Sequence, residues 1–258
     1  MRSFTKRAAL AAALATGVVL MLAGGAVAAF PNFTGCPTSS PGVIACVNVQ
    51  NTSGNLNIKG FNVPLTAAAL EIRGGLIATE STVPTFVPPA GTTGFFSRAV
   101  PVPGGLLGIE WLPGNSVLAI TELAGPPSSI RLDLATLGLR VPVKVRLVNL
   151  LLGMNCHIGT NSRPVMLDLI TGTTSPPPPN RPISGAPGRF EVVTENDIVV
   201  RNNRNVENSF AVPGATECGI GLGLINSLVN LRLGLPSAAG NNSTEVVNDI
   251  ALHAVNVE

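Results

Sequence analysis

The chain has 258 residues, 16 of them Lys or Arg and 14 Asp or Glu, for a formal charge of +2. Only 12% of residues are charged while 45% are hydrophobic, which excludes a charge-swollen disordered polymer. The shortage of Glu and Lys excludes a coiled coil, and no basic stripe is present to displace counterions from nucleic acid.

The first element is an address. Arg2, Lys6 and Arg7 precede an uncharged run from Ala8 to Ala23, then Gly24-Gly25 and Ala26-Val27-Ala28-Ala29. This layout predicts a secretory signal peptide over residues 1–28, cleaved after Ala28 or Ala29, and a mature chain over 29–258. The rival is an uncleaved membrane anchor. Lys6-Arg7 is not a twin-Arg pair, so the general secretory route is expected. Losing Arg2, Lys6 and Arg7 leaves 13 basic and 14 acidic residues, with Lys59 and Lys144 the remaining lysines. Arg140, Pro142, Lys144 and Arg146 interrupt the most apolar later stretch, Leu134 to Gly153, so no transmembrane helix is expected in the mature chain.

The rest reads as β. Candidate strands run over Val43–Val49 (closed by Asn51-Thr52-Ser53-Gly54), Ser116–Leu123 and Ile130–Leu134. Others cover Val143–Leu147, Pro164–Ile170, Arg189–Val193 and about Val246–Val257. In Val143-Lys144-Val145-Arg146-Leu147 the apolar residues share one face and both cations the other. Gly74-Gly75 and Gly104-Gly105 read as turn pairs. Thr171 to Gly188, with four prolines at 176–179, reads as a stiff surface loop of polyproline II character. Leu222, Leu224, Ile225, Leu228, Val229 and Leu231 recur at helical spacing, predicting a short helix near 220–233 that ends at Leu235–Asn242. The fold class is all-β, an antiparallel β-sandwich or barrel-like form. One domain of about 230 residues is expected; a split near 125–129 into two β subdomains is the alternative.

Cys36, Cys46, Cys156 and Cys218 form an even set in an exported chain, which points to two disulfides. Three pairings are possible, and Cys36–Cys46 with Cys156–Cys218 is favoured. Their spacing does not fit a zinc site.

Gly125-Pro126-Pro127-Ser128-Ser129-Ile130-Arg131-Leu132, Thr171-Gly172-Thr173-Thr174-Ser175 before the four prolines, and Leu233 through Asn242 are distinctive stretches. With the four Cys, they resemble a family of secreted actinobacterial proteins over most of the chain from Cys36 to Val257. The resemblance implies secretion and a bacterial source. It carries over no activity and no site residue, and it makes Asn32-Phe33-Thr34 a weak pointer to glycosylation.

Catalytic groups are few. His157 follows Cys156, and His253 lies on a terminal strand; neither has an identifiable partner in sequence. No G-x-S-x-G surrounds Ser97, Ser116 or Ser243. Glu191, Glu195 and Asp197 are close, but Thr194-Glu195-Asn196-Asp197 reads as a turn. One Trp (Trp111), eight mature Phe and no Tyr are a poor supply for sugar platforms or the aromatic girdles of a membrane barrel. No cofactor and no metal is expected. The reading is a non-catalytic, secreted, disulfide-stapled β-protein with a binding or structural role at the cell envelope or outside the cell, its expected partner an envelope component or an apolar ligand. The alternatives are a carrier or sensor for an apolar ligand such as a lipid, and a hydrolase of unrecognised type.

Overall fold

The computed structural model describes residues 30–109, 111–219 and 223–255. The signal-peptide reading at 1–28 falls outside them, as do Leu222 and the end of the last expected strand at Asn256–Val257. Pro31–Glu258 make one compact unit.

Among the described residues, fifteen strands and one α-helix follow in chain order. They are β1 (Val43–Ile58), β2 (Phe61–Leu65), β3 (Leu70–Ile77), β4 (Thr85–Val87), β5 (Phe95–Ser97), β6 (Val100–Pro101) and β7 (Leu118–Leu123). Then come β8 (Arg131–Asp133), β9 (Gly138–Val148), β10 (His157–Ile158), β11 (Val165–Leu169), β12 (Arg189–Val192), β13 (Asp197–Glu207) and β14 (Ala215–Thr216). Helix α1 (Leu224–Leu233) and β15 (Asn242–Ala254) close the chain. Every named pairing is antiparallel. One sheet runs β12-β13-β15-β1-β3-β4, with β2 on β1 and β5 on β3. The other runs β14-β10-β9-β7-β6, with β11 and β8 also on β9. The two pack as a sandwich around one apolar core. Pro127–Ser129 form a 3-10 turn between β7 and β8, and both of those strands pair with β9.

Two expectations about punctuation are corrected. Asn51-Thr52-Ser53-Gly54 does not close β1; the strand continues through a register shift between Asn51 and Ser53. The Asn51 carboxamide accepts from the Leu70 N–H at 2.7 Å and donates to the Thr66 carbonyl at 2.8 Å, so a turn-forming side chain instead fixes a bulge. Below the bulge β1 pairs with β3, and above it with β2. Gly74-Gly75 is not a turn either. Both residues lie inside β3, where a Cβ on Gly74 would sit 2.4 Å from the Val87 carbonyl oxygen and 2.6 Å from the Phe86 ring. At Gly74 the next strand comes too close for a side chain, and a Cβ on Gly75 would press on Val43 and Pro37. Gly104-Gly105, at φ +70° and +57°, do form a turn.

Helix α1 buries Val229 and Leu233, one turn apart, and ends at Gly234 in the left-handed region, as a C-terminal cap requires. Leu224 and Leu231 face solvent. The Thr171–Gly188 loop is tied down by Asn180, whose amide donates to the Asn208 and Asn242 carbonyls at 2.8 and 2.7 Å.

The disulfides are Cys36–Cys46 and Cys156–Cys218. The second bridges the flanks of β10 and β14, whose ladder has only two residue pairs. Such a ladder is weak alone, and the covalent tie holds it. Cys218 then donates its N–H to Asn226 Oδ1 at 2.8 Å, and Ala215 donates to Asn230 Oδ1 at 2.7 Å, fastening α1 to the same edge.

Candidate functional site

Strand β9 shows how the interior is made. Leu139, Val141, Val143, Val145 and Leu147 all point between the sheets, while Arg140, Lys144 and Arg146 alternate with them. Opposite stand Ile58, Phe61, Ile72, Phe95 and Val246 from the other sheet. These side chains do not fill the gap. They line a cavity of about 130 Å³. Glu71, Thr121, Thr244 and Asn248 are the polar exceptions on a wall that is otherwise aliphatic and aromatic. A cavity of about 150 Å³ lined by Leu, Ile and Phe stays dry and takes benzene, so this one suits an apolar group of comparable size. Phe61, Val63 and Leu65 of the short strand β2 are half-buried and bound it on one side.

A smaller space of about 20 Å³ lies beside the cavity and shares Val102, Leu147 and Leu233 with it. Arg232 is on its wall. Around it three segments interlock. Asn149 donates to the Gly114 and Ser116 carbonyls, both at 2.8 Å, and Gly219 donates to the Leu152 carbonyl. Arg232 donates to the Pro103 carbonyl at 3.3 Å. These segments expose Trp111 (80%), Leu150 (96%), Met154 (83%) and Leu231 (83%).

The histidines lie elsewhere and apart. His253 Nδ1 is 2.8 Å from Asp197 Oδ1, and Thr194 donates its hydroxyl to the other carboxylate oxygen at 2.7 Å. These hydrogen bonds, from Thr194 first and then His253, hold the Asp197 carboxyl below its ordinary range against the opposing effect of burial. The pair resembles part of a catalytic triad. Among the described residues, however, no serine, threonine or cysteine bonds the other ring nitrogen. The expected Thr194–Asp197 turn is present, and the contact closes the β12–β13 hairpin. His157 donates Nδ1–H to the Asn155 carbonyl at 2.7 Å and places Nε2 3.5 Å from Glu122. Burial raises the Glu122 carboxyl, but Arg146, His157 and Lys144 outweigh it and the net shift is downward. Glu122 is thus held as an anion among cations, unsuited to proton transfer near neutrality.

The other sequence candidates are scattered. Ser97 donates its hydroxyl to the Thr121 carbonyl at 2.6 Å, and Ser243 sits in the β1–β15 ladder opposite Asn57. Glu191 pairs with Arg189 and Arg201. No group of three or more His, Cys, Asp or Glu among the described residues could hold a metal ion. Among the same residues no helix is long and apolar enough to cross a membrane. Compared with protein-family models, curated proteins and solved structures, the chain matches none.

Alternation in the sequence places Val143, Val145 and Leu147 of β9 on one face. The apolar-ligand alternative foresees an interior space, but its location and volume depend on the spacing of two sheets and are not legible in the sequence. Arg232 was missed because a lone cation in the last turn of a helix is commonplace.

Proposed function

We propose that the protein is an exported, non-catalytic β-sandwich that carries or senses a small apolar ligand, such as one chain of a lipid, in the cavity between its sheets. The observation that carries this reading is the unfilled apolar interior. Protein cores close up to nearly crystalline density, and a gap of this size forfeits dispersion contacts along its walls. A ligand restores those contacts, gaining roughly 0.8 kcal/mol per buried methylene. The two disulfides, the charged-apolar-small layout of the first 28 residues and the resemblance to secreted actinobacterial proteins support action at the cell envelope or outside the cell.

Octanol is a suitable first probe. Saturable thermal stabilisation by octanol is expected, and Val141→Phe, which fills the cavity from the middle of β9, should abolish it. Absence of stabilisation up to the solubility limit would refute the carrier reading. Native mass spectrometry of the host-secreted protein, purified without detergent, should then show a discrete adduct that leaves on denaturation.

A second reading, contact with an envelope component, is favoured by Trp111, Leu150 and Met154, exposed on segments that Asn149 ties together. Exposed apolar groups of this size commonly mark an interaction site. Co-sedimentation with lipid vesicles, lost in Trp111→Ser/Leu150→Ser, is the expected result for that role.

A further inference from the structure

We infer that Arg232 makes the cavity selective for amphiphiles that carry an anionic head, a carboxylate or a phosphate, on an apolar tail. The inference rests on the apolar-ligand reading above and names the ligand's polar end.

Arg232 stands in the last turn of α1, next to Leu233, which lines the cavity. Its guanidinium lies over the ring of Phe61, 4.8 Å from the centroid, and Phe61 also lines the cavity. The cation therefore sits one side chain from the apolar space. Its bonding is incomplete. One terminal nitrogen reaches the Pro103 carbonyl, while Nε is buried and has no hydrogen-bond partner. Among the described residues no carboxylate lies within ion-pair distance of it. Arg73, Arg146, Arg189, Arg201 and Arg204 each have one.

The surrounding loop is glycine where it meets the guanidinium. Gly104 and Gly108, at φ +70° and +79°, present bare backbone to the guanidinium. A Cβ on Gly104 would come 2.8 Å from one terminal nitrogen, and one on Gly108 would come 3.5 Å from Nε. The partial negative charge of the helix C-terminus and the Phe61 ring account for a cation in this place. They do not account for a buried donor without an acceptor. A planar guanidinium with free donors matches a carboxylate or phosphate in two-point contact, and arginine is the residue that makes such contacts well. With the head on Arg232, the tail passes Phe61 and Leu233 into the cavity.

The test compares octanoate, octyl phosphate, octanol and octylammonium by calorimetry at about pH 8, where the carboxylic acid is ionised. Octanoate or octyl phosphate should bind about ten- to a hundredfold tighter than octanol, and octylammonium weaker than octanol. Which anion gains more separates a fatty-acid head from a phosphate head. Arg232→Gln should bring octanoate and octyl phosphate down to the affinity that the same variant has for octanol, and Arg232→Lys should keep part of the preference. Equal binding of octanoate and octanol by the unmodified protein would overturn the head-group assignment alone, with no variant needed. Failure of all four ligands to bind would overturn the apolar-ligand reading with it.

Discussion

Two parts of the same sandwich are filled in opposite ways. Around β9 the walls are almost wholly aliphatic and aromatic, and space is left over. Where β13 and β15 meet the connecting loops, the interior is polar and tightly linked. Asn248 donates to Asn205 Oδ1 at 2.9 Å, and Asn205 donates to the Leu137 carbonyl at 3.0 Å. Asn242 donates to the Phe210 carbonyl at 2.9 Å and accepts from the Ser237 hydroxyl at 2.6 Å. All of these side chains are buried. The difference teaches what each part is for. Directional bonds specify one arrangement and hold it. An apolar wall facing empty space specifies a shape and leaves its filling to something else.

The largest expected effect concerns the frame of the cavity. Replacing Cys156 and Cys218 together by Ser opens a loop of 62 residues' separation, which should cost about 4 kcal/mol in a urea titration. Hydrogen exchange should accelerate first in β14, α1 and the 149–155 turn, and least in the asparagine network. Uniform acceleration would show that the two parts are not separable.

Next comes the network itself. Asn248→Ala leaves the buried Asn205 Oδ1 without a donor, and about 1–3 kcal/mol should be lost. A matched pair then contrasts the two kinds of interior. Ala251 is fully buried on β15, so Ala251→Leu should overpack it and cost about 1–3 kcal/mol. Ala119 lines the cavity, and Ala119→Leu should leave stability within about 0.5 kcal/mol while weakening octanol binding. Equal penalties at the two sites would mean that the cavity is not usable space.

The smallest effect is electrostatic. Burial raises the Glu207 carboxyl, and nearby Asp168 adds to the rise, although N–H groups of Ser209 and Asn208 oppose it. A raised native value favours the protonated form. Its contribution to stability is therefore full below the unfolded value and is lost as pH rises through the native one. Glu207→Gln keeps an acceptor for Ser209 and removes the charge. It should raise Tm by about 2 °C near pH 7 and change little in acid, as scanning calorimetry at both pH values would show.

Much of this architecture was legible in local pattern. Val143, Val145 and Leu147 alternate with Lys144 and Arg146 because one face of β9 is buried and the other is wet. The helix ends where Gly234 permits a left-handed cap. Strand β13 escaped because Arg201-Asn202-Asn203-Arg204-Asn205 has loop composition. Much of its polarity is met by distant groups, among them Asp249, Pro187 and Leu137, which no local window contains. The same reason hid the passage of β1 through Asn51. At the candidate site, the inward face of β9 could be read from alternation. That β2 and β5 bound the same space could not, since β5 is made by its pairing with the distant β3 and β2 by a hairpin off the part of β1 beyond Asn51.

The most direct test of the central claim is a set of intermolecular nuclear Overhauser effects between bound octanol and methyl-labelled protein. The account predicts contacts from one ligand to Val141 and Leu167 on one sheet and to Ile72 and Val246 on the other. Contacts confined to exposed residues such as Leu150 and Met154, with the inward-facing methyls unmoved, would contradict it.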